Sequence, residues 1–281
     1  MMAIKKKNNI DDATVAGFGD EWSRFNQNGL SHETREQIFD DYFSIFPWGA
    51  LPENAAGVDV GCGSGRWAAV VAPRVGQLLL VDASGDALAV ARQNLAGAPN
   101  VRFEQASVGS LPIEDASLDF AYSLGVLHHV PDTAAAIRSI AEKLKPGAPF
   151  LVYLYYSFDN RGVVYCGIWK ASDMVRRLVS RMPFGLRYWA SQALALTIYW
   201  PLARMALLLD RFGICPDSWP LAYYKDKPFY VLRTDALDRF GTRLEQRFSR
   251  VEILTMLDDA GLKDIRFSDR PPYWCAVGIK S

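Results

Sequence analysis

From Val58 the chain reads VDVGCGSGRWA, an apolar run that breaks into glycine at three alternate positions, Gly61, Gly63 and Gly65. Such a break reads as strand, tight loop, helix. It brings a backbone close to something small, because a Cβ would block the approach and some of the positions need a positive φ. A regular rhythm follows. GVDVG is a short strand, SGRWAAVVAPRV a helix ending near Pro73, and QLLLVD a continuously apolar strand ending in Asp82. SGDALAVARQNLAG is an amphipathic helix with Leu88, Ala91 and Leu95 on one side, stopped by Gly97. VRFEQA, LDFAYSL and PFLVYLYY are three more strands, and a helix capped by Asp132 separates the last two. Strands alternating with helices, several of them apolar throughout, predict an α/β fold with a parallel sheet covered on both faces.

The flanks depart from that rhythm. Ser31 is the expected N-cap of a helix over SHETREQIFDDYFSIF. Before it, Phe18, Trp22 and Phe25 recur at steps of four and three, so residues 1–50 read as a helical segment that packs on the domain or closes over a pocket. Residues 157–247 are rich in Trp, Tyr, Leu and Arg and mostly helical in pattern. A structureless loop of that length is uncommon, so they read as an inserted subdomain. The core is then residues 51–156 and 248–281. Its last part starts with Ser249 and Glu252 in a capping pattern, stops a helix at Gly261, and closes with the strands KDIRFSD and YWCAVGIK.

The glycine loop sits where a parallel sheet binds ligands, beyond the carboxyl ends of its strands and ahead of a helix N-terminus that favours an anion. A dinucleotide fingerprint counted from Gly61 wants glycine at position 66 and finds Arg66; counted from Gly63 it meets Ala68. A Walker loop needs Lys after Gly65, and none follows. A smaller anion, such as a carboxylate, suits the loop better than pyrophosphate. Asp82 ends the next strand and can accept from both hydroxyls of a ribose. Together the two features describe an adenosine-like ligand with a short charged arm.

With those residues in place a family resemblance follows. VDVGCGSG, LLLVDAS, SLDFAYSLGVLHHVPD and LKPGAPFLVYLY, in this order and spacing, resemble the motifs of class I S-adenosylmethionine-dependent methyltransferases, with a small-molecule, type 11-like domain. The resemblance covers Gly57–Tyr156, and the last forty residues fit its closing strands. It implies a Rossmann-like, doubly wound, seven-strand sheet whose last strand is antiparallel, with a helical insertion after the fifth strand. It implies S-adenosylmethionine as cofactor and S-adenosylhomocysteine as product. The loop of Gly61, Cys62, Gly63 and Gly65 would lie against the methionine moiety, Asp59 would hold its ammonium, and Leu124 would lie near it. Asp82 would bind the ribose and Ala83 would pack beside the adenine. Relatives often carry an Asp before the Leu-Pro that is here Leu111-Pro112. This chain has Ser107, whose hydroxyl accepts without charge assistance, with the Val108 N–H beside it. Phe18 and Trp22 would close over the cofactor.

The expected reaction is an in-line methyl transfer, in which the protein supplies alignment and exclusion of water. For an oxygen acceptor a general base helps. His129, and after it His128, stand where the methyl should emerge, although LHH also recurs as plain architecture in the family. The acceptor, a small molecule or a glycan or lipid intermediate, would be held by the insertion, with Tyr223, Tyr224, Arg233 and Arg239 as candidates. A catalytically inactive cofactor-binding regulator or scaffold is the competing class.

Composition bounds the partners. The 281 residues carry zero formal net charge, which offers no global field for nucleic acid, and no Asn/Asp-Pro-Pro-aromatic motif follows the fourth strand. Lys5–Lys7 is a short basic run that reads as solvated. Four separated cysteines, Cys62, Cys166, Cys215 and Cys275, and three histidines compose no metal set, and with no N-terminal apolar leader they read as free thiols in a reducing cytoplasm. The uncharged run Tyr188–Ala203 is shorter than a membrane span and is bracketed by Arg187 and Arg204. It reads as a helix roofing a pocket in preference to a peripheral membrane contact. The oligomeric state is not legible.

Overall fold

The computed structural model describes residues 8–27, 31–158, 162–214 and 219–281; Lys5–Lys7 and Cys215 lie outside the described residues. Two compact units are present, one of Met1–Ser157 with Leu244–Ser281 and one of Phe158–Arg243. The chain runs through α1 (Asp12–Arg24), α2 (His32–Phe43), β1 (Ala56–Val60), α3 (Ala68–Val71), β2 (Gln77–Asp82), α4 (Gly85–Asn94), β3 (Val101–Gln105), β4 (Phe120–Leu124), α5 (Thr133–Ala141) and β5 (Pro149–Tyr153). The second unit supplies α6 (Val163–Val179), α7 (Phe184–Leu194), α8 (Trp200–Arg211) and α9 (Phe229–Gly241). The chain then returns for α10 (Arg250–Asp259), β6 (Leu262–Phe267) and β7 (Cys275–Lys280). Residues 244–247, which the sequence pattern groups with the insertion, belong to the first unit.

The caps read from sequence form. The side chains of Ser31 and Asp132 accept from N–H groups of their helices' first turns, and Ser84, which the pattern does not single out, does the same for α4. Ser249 and Glu252 make a reciprocal capping box. The seven strands make one sheet in the order β3-β2-β1-β4-β5-β7-β6. β1 to β5 pair in parallel and β7 runs antiparallel to both neighbours. The fold is therefore the Rossmann-like, doubly wound sheet expected, with β7 the antiparallel strand.

β4 shows how both faces are filled. Its five residues, FAYSL, are all buried. Phe120 and Tyr122 point to one side, where their rings lie 6.0 Å from Phe46 and 5.3 Å from Phe43. Ala121 points to the other side and joins a core with Val58, Ile137, Ile140, Phe150 and Leu257, from strands, α5 and α10. Each large side chain buried there contributes about 1.5–3 kcal/mol against exposure. Gly57 of β1 makes room for the aromatic side, since a Cβ there would lie 2.2 Å from the Phe120 ring.

In the second unit Val179, Ala195, Tyr199, Leu232, Ala236 and Phe240 form a small core. A π-helical turn, Ala195–Tyr199, joins α7 to α8, so Phe184–Arg211 is helical throughout. Its inward residues, Arg187, Ser191, Ala195, Tyr199 and Ala203, step by four. On a helix of 3.6 residues per turn that stripe would drift by roughly 40° a step, and the wider π turn absorbs the drift. Arg187 donates to the Gly241 carbonyl at 2.9 Å, and Arg204 to the Lys227 carbonyl at 2.9 Å. The opposite face is open: Leu186, Trp189, Leu196, Met205, Leu208 and Phe212 are exposed. One side of this segment is therefore buried in the core of its own unit and the other is exposed.

Candidate active site

The strand order places β2, β1 and β4 side by side, so their carboxyl ends open on one edge of the sheet. After β1 the backbone turns through Gly61 at φ +80° and Gly63 at φ +54°. A Cβ on Gly61 would lie 2.4 Å from Val126, and one on Gly63 would lie 2.8 Å from the Trp22 indole. Gly65 packs instead against Leu95 and Ala91 of α4. A Gly63→Val protein is expected to lose roughly 1–2 kcal/mol from the left-handed backbone alone, with overlap on Trp22 added. Calorimetry should show a lowered Tm and no further rise with S-adenosylhomocysteine; an unchanged Tm and an intact ligand shift would contradict the close approach.

Asp82 fastens this loop to β2. Its Oδ2 accepts from the Gly63 N–H at 2.9 Å and its Oδ1 from the Ser84 N–H at 2.8 Å. Burial raises its pKa, while the N–H groups of Ser84, Gly63 and Ala83 hold it down. An ionised carboxylate has about four acceptor sites, so with these N–H groups engaged it can still accept from a hydroxyl donor. Ala83 follows directly, with its carbonyl accepting from Gln105 at 3.2 Å. Ser107 and Val108 are buried in a turn closed by the Ser110 N–H on the Ser107 carbonyl, and the Ser107 hydroxyl has no hydrogen-bond partner among the described residues. Cys62 is buried with its thiol pushed up in pKa by burial, so it stays protonated.

Asp59 sits in β1 opposite Tyr122 of β4. Burial is the largest influence on it, and its pKa is pushed up to about 8, the nearby Asp82 adding while Tyr122 and Arg66 oppose. The Tyr122 hydroxyl approaches without full hydrogen-bond geometry, and Asp59 Oδ2 is buried with no partner among the described residues. A buried carboxyl in that condition is incomplete without a donor. The unpartnered Asp59 oxygen and Ser107 hydroxyl and the remaining acceptor capacity of Asp82 fit the expected S-adenosylmethionine, whose amine, adenine edge and ribose would meet them in that order.

The turn after β4 carries the histidines. Leu124 ends the strand and is buried, and Gly125 then donates to the Tyr153 carbonyl at 3.2 Å. His129 Nδ1 lies 2.7 Å from the Leu244 carbonyl. A carbonyl only accepts, so Nδ1 carries the proton and Nε2 is the basic nitrogen. His128 accepts the Tyr155 N–H at Nδ1, 3.4 Å away, and stacks on the Tyr155 ring at 3.8 Å. Burial first, then His129 and Arg247, holds His128 well below the usual histidine range, so it is neutral. α1 reaches both His129 and the glycine loop. The Phe18 ring is 5.0 Å from His129, and Trp22, one turn on, lies over Gly63. Gly19 of the same helix sits against Ser84 and Asp86. The helix thus brings two of the sequence candidates onto the two halves of the site.

Three participants carry no sequence signal. The return segment after the second unit is one: Gln246 N–H donates to the His128 carbonyl at 3.0 Å, and Gln246 Nε2 to the Val130 carbonyl at 2.6 Å. Tyr155 is another. Tyr122 was detectable only by setting LDFAYSL in register against VDV. The substrate candidates lie in the second unit and are committed there. Arg233 donates to Gln192 at 2.5 Å and to the Tyr188 hydroxyl at 2.8 Å. Arg239 donates to Ser172 at 3.3 Å and sits 4.0 Å from Asp173. Tyr223 and Tyr224 meet edge to face at 5.3 Å, with Lys227 over the Tyr223 ring. No group of His, Cys, Asp and Glu among the described residues is arranged to hold a metal.

Comparison with known proteins bears on this site. Residues 58–152 match the family model described as a methyltransferase domain. The chain is 34% identical over 105 residues to the uncharacterized methyltransferase YcgJ of Bacillus subtilis, covering 37% of this chain and 42% of that protein. It is 33% identical over 107 residues to a ubiquinone biosynthesis O-methyltransferase of Paracidovorax citrulli, covering 37% and 43%. The chain thus spans less than half the length of these two curated relatives. An O-methyltransferase family protein from Burkholderia thailandensis superposes with a TM-score of 0.54 at 14% identity, over 95% of this chain and 59% of that one, a likeness of fold.

Proposed function

We propose that this chain, whose residues 58–152 match a methyltransferase-domain model, is a class I S-adenosylmethionine-dependent methyltransferase that transfers a methyl group to an oxygen of a small molecule or of a glycan or lipid intermediate, with His129 as general base. The observation that carries this reading is the 2.7 Å contact between His129 Nδ1 and the Leu244 carbonyl. It fixes the tautomer and leaves the buried Nε2 as the basic nitrogen, in the way a general base needs an orienting partner.

When bound, S-adenosylmethionine supplies a methyl group already activated on a sulfonium. The chain does the rest. Asp59 holds the amine, Asp82 the ribose, and the Ser107–Val108 turn the adenine edge. Trp22 and Phe18 cover the loop and the base and exclude water. His129 Nε2 takes the hydroxyl proton of the acceptor as its oxygen is methylated. Neutral His128, with its ring centroid 4.0 Å from that of His129, keeps a second positive charge away from the base.

Two measurements test the reading. S-adenosylhomocysteine should raise the Tm and NAD should not. A labelled methyl group should pass to hydroxyl or phenol acceptors and not to matched amines. Stabilisation by NAD in place of S-adenosylhomocysteine would overturn the cofactor. Binding with no transfer to any oxygen acceptor would favour a non-catalytic cofactor-binding protein.

A further inference from the structure

The chain is neutral as a whole, and that neutrality conceals a segregation. Residues 163–214 hold seven basic residues against two acidic ones, a net charge of +5. Among the described residues, fourteen of the sixteen large apolar side chains that stand exposed fall in the same stretch, from Val163 to Ile214. Positive charge and unburied apolar surface therefore coincide on the helices of one unit.

The two features are also arranged on the same helices. Over Phe184–Arg211 the inner stripe is buried and Arg187 and Arg204 are turned inward onto backbone carbonyls. Trp189 is 70% exposed, Leu186 62% and Leu208 53%. On α6 the exposed residues Met174, Val175 and Leu178 flank Arg177. Beside the end of that helix Arg176, Arg177, Ser180, Arg181 and Arg243 line a cavity of about 380 Å³. Asp173 pairs with both Arg176 and Arg177 at one side of this group. Arg176 also donates to the Thr242 carbonyl and Arg243 to the Ser180 carbonyl, so the exposed Arg177 and Arg181 are the guanidinium groups that suit a phosphate, which such groups bind through paired N–H donors.

We propose that the outward face of α6, α7 and α8 docks on an anionic lipid bilayer, with the apolar side chains in the interface and a lipid phosphate at the arginine cavity. Tryptophan, leucine and phenylalanine on one face with arginines about them is the composition of helices that lie in a membrane surface. A crossing helix is disfavoured because the inner stripe is built onto protein and includes Arg187. A second copy of the chain is disfavoured because a two-fold contact would set two net-positive faces against each other, the exposed charges of the stretch being Lys170, Arg177, Arg181 and Arg211 against Asp210. The inference is independent of the methyl-transfer reading and is tested without it.

The full chain is mixed with vesicles of three parts phosphatidylcholine to one part phosphatidylglycerol, or of phosphatidylcholine alone, and floated on a density gradient. It should float with the anionic vesicles and much less with the neutral ones, and salt should weaken the association. Neutralising Arg177 and Arg181 to glutamine should lower partitioning by about fivefold per arginine removed, the equivalent of roughly 1 kcal/mol for each basic residue near an anionic surface. Trp189→Glu with Leu208→Glu alters exposed positions only, so the protein should keep its Tm and lose flotation. Absence of flotation by the folded wild-type chain overturns the proposal. So does flotation untouched by the Trp189→Glu, Leu208→Glu pair. A concentration-dependent dimer that the same pair dissolves would assign the face to a second copy instead, and membrane association resistant to alkaline carbonate would assign the segment to a span.

Discussion

Replacing His129 by glutamine is expected to lower turnover by about 100- to 10,000-fold, the range supplied by a positioned general base, while affinity for S-adenosylhomocysteine stays near the wild-type value. Glutamine keeps a donor for the Leu244 carbonyl and removes the basic nitrogen, so the fold of the turn survives and the proton acceptor does not. The loss should appear in kcat more than in KM, because the proton moves only as the methyl does. His128→Gln should act differently. Its ring is stacked on Tyr155 and held neutral by burial, so the substitution should cost stability through packing and change turnover less. Single-turnover rates across a series of acceptor hydroxyls of falling pKa provide the check. Wild-type rates retained by His129→Gln with a weakly acidic alcohol would remove His129 from the chemistry.

The second large effect is on cofactor affinity. Asp59 has its pKa pushed up to about 8, chiefly by burial. A cationic amine needs the carboxylate, and below that pH the group is mostly protonated. Affinity for S-adenosylhomocysteine should therefore rise about tenfold per pH unit up to about pH 8 and level off above it, with a proton released on binding at neutral pH. Calorimetric titration in buffers of differing ionisation enthalpy measures that proton. Asp59→Asn should flatten the dependence. The free protein gives the complementary sign. A folded pKa above the unfolded value of 3.8 means that this group's contribution to stability is full below about pH 4 and is lost as pH rises through about 8. Asp59→Asn should then raise the Tm of the free protein under alkaline conditions relative to the wild type. Wild-type affinity independent of pH between about 6 and 8 would sink the assignment of Asp59 to the amine.

The parts of this molecule that could be read from sequence are those set by local rules. Glycines at 61 and 63 announce a turn with positive φ, Asp82 ends an unmistakably apolar strand, and Ser249 with Glu252 marks a helix start; each is visible within a few residues. What could not be read depends on pairing across distance. The acceptor that fixes His129 is the backbone carbonyl of Leu244, and a carbonyl has no residue type to betray it. Tyr122 reaches Asp59 only through the register of β4 on β1. Arg233 and Arg239 looked like ligand-binding cations, yet Gln192, Tyr188 and Ser172, each more than forty positions away, engage them. The run Tyr188–Ala203 is uncharged whichever way it faces, so which side of it is buried is decided by α9 and the π turn, and neither shows in an apolar pattern.

The exit and re-entry of the chain around the second unit have a consequence for how such a protein diversifies. Ser157 N–H donates to the Phe248 carbonyl, and the Phe248 N–H to the Tyr155 carbonyl, so the two ends of the ninety-residue excursion are clasped side by side by an isolated parallel bridge beyond the sheet's strands. The junction behaves as a graft point. The length and content of what hangs from it can change at little entropic cost to the sheet, because closing a longer loop between ends already joined adds only a logarithmic penalty. The same clasp carries Leu244 to His129. The stalk of the excursion thus delivers the carbonyl that holds His129 Nδ1, and the length of what hangs from it can change while that contact stays with the stem.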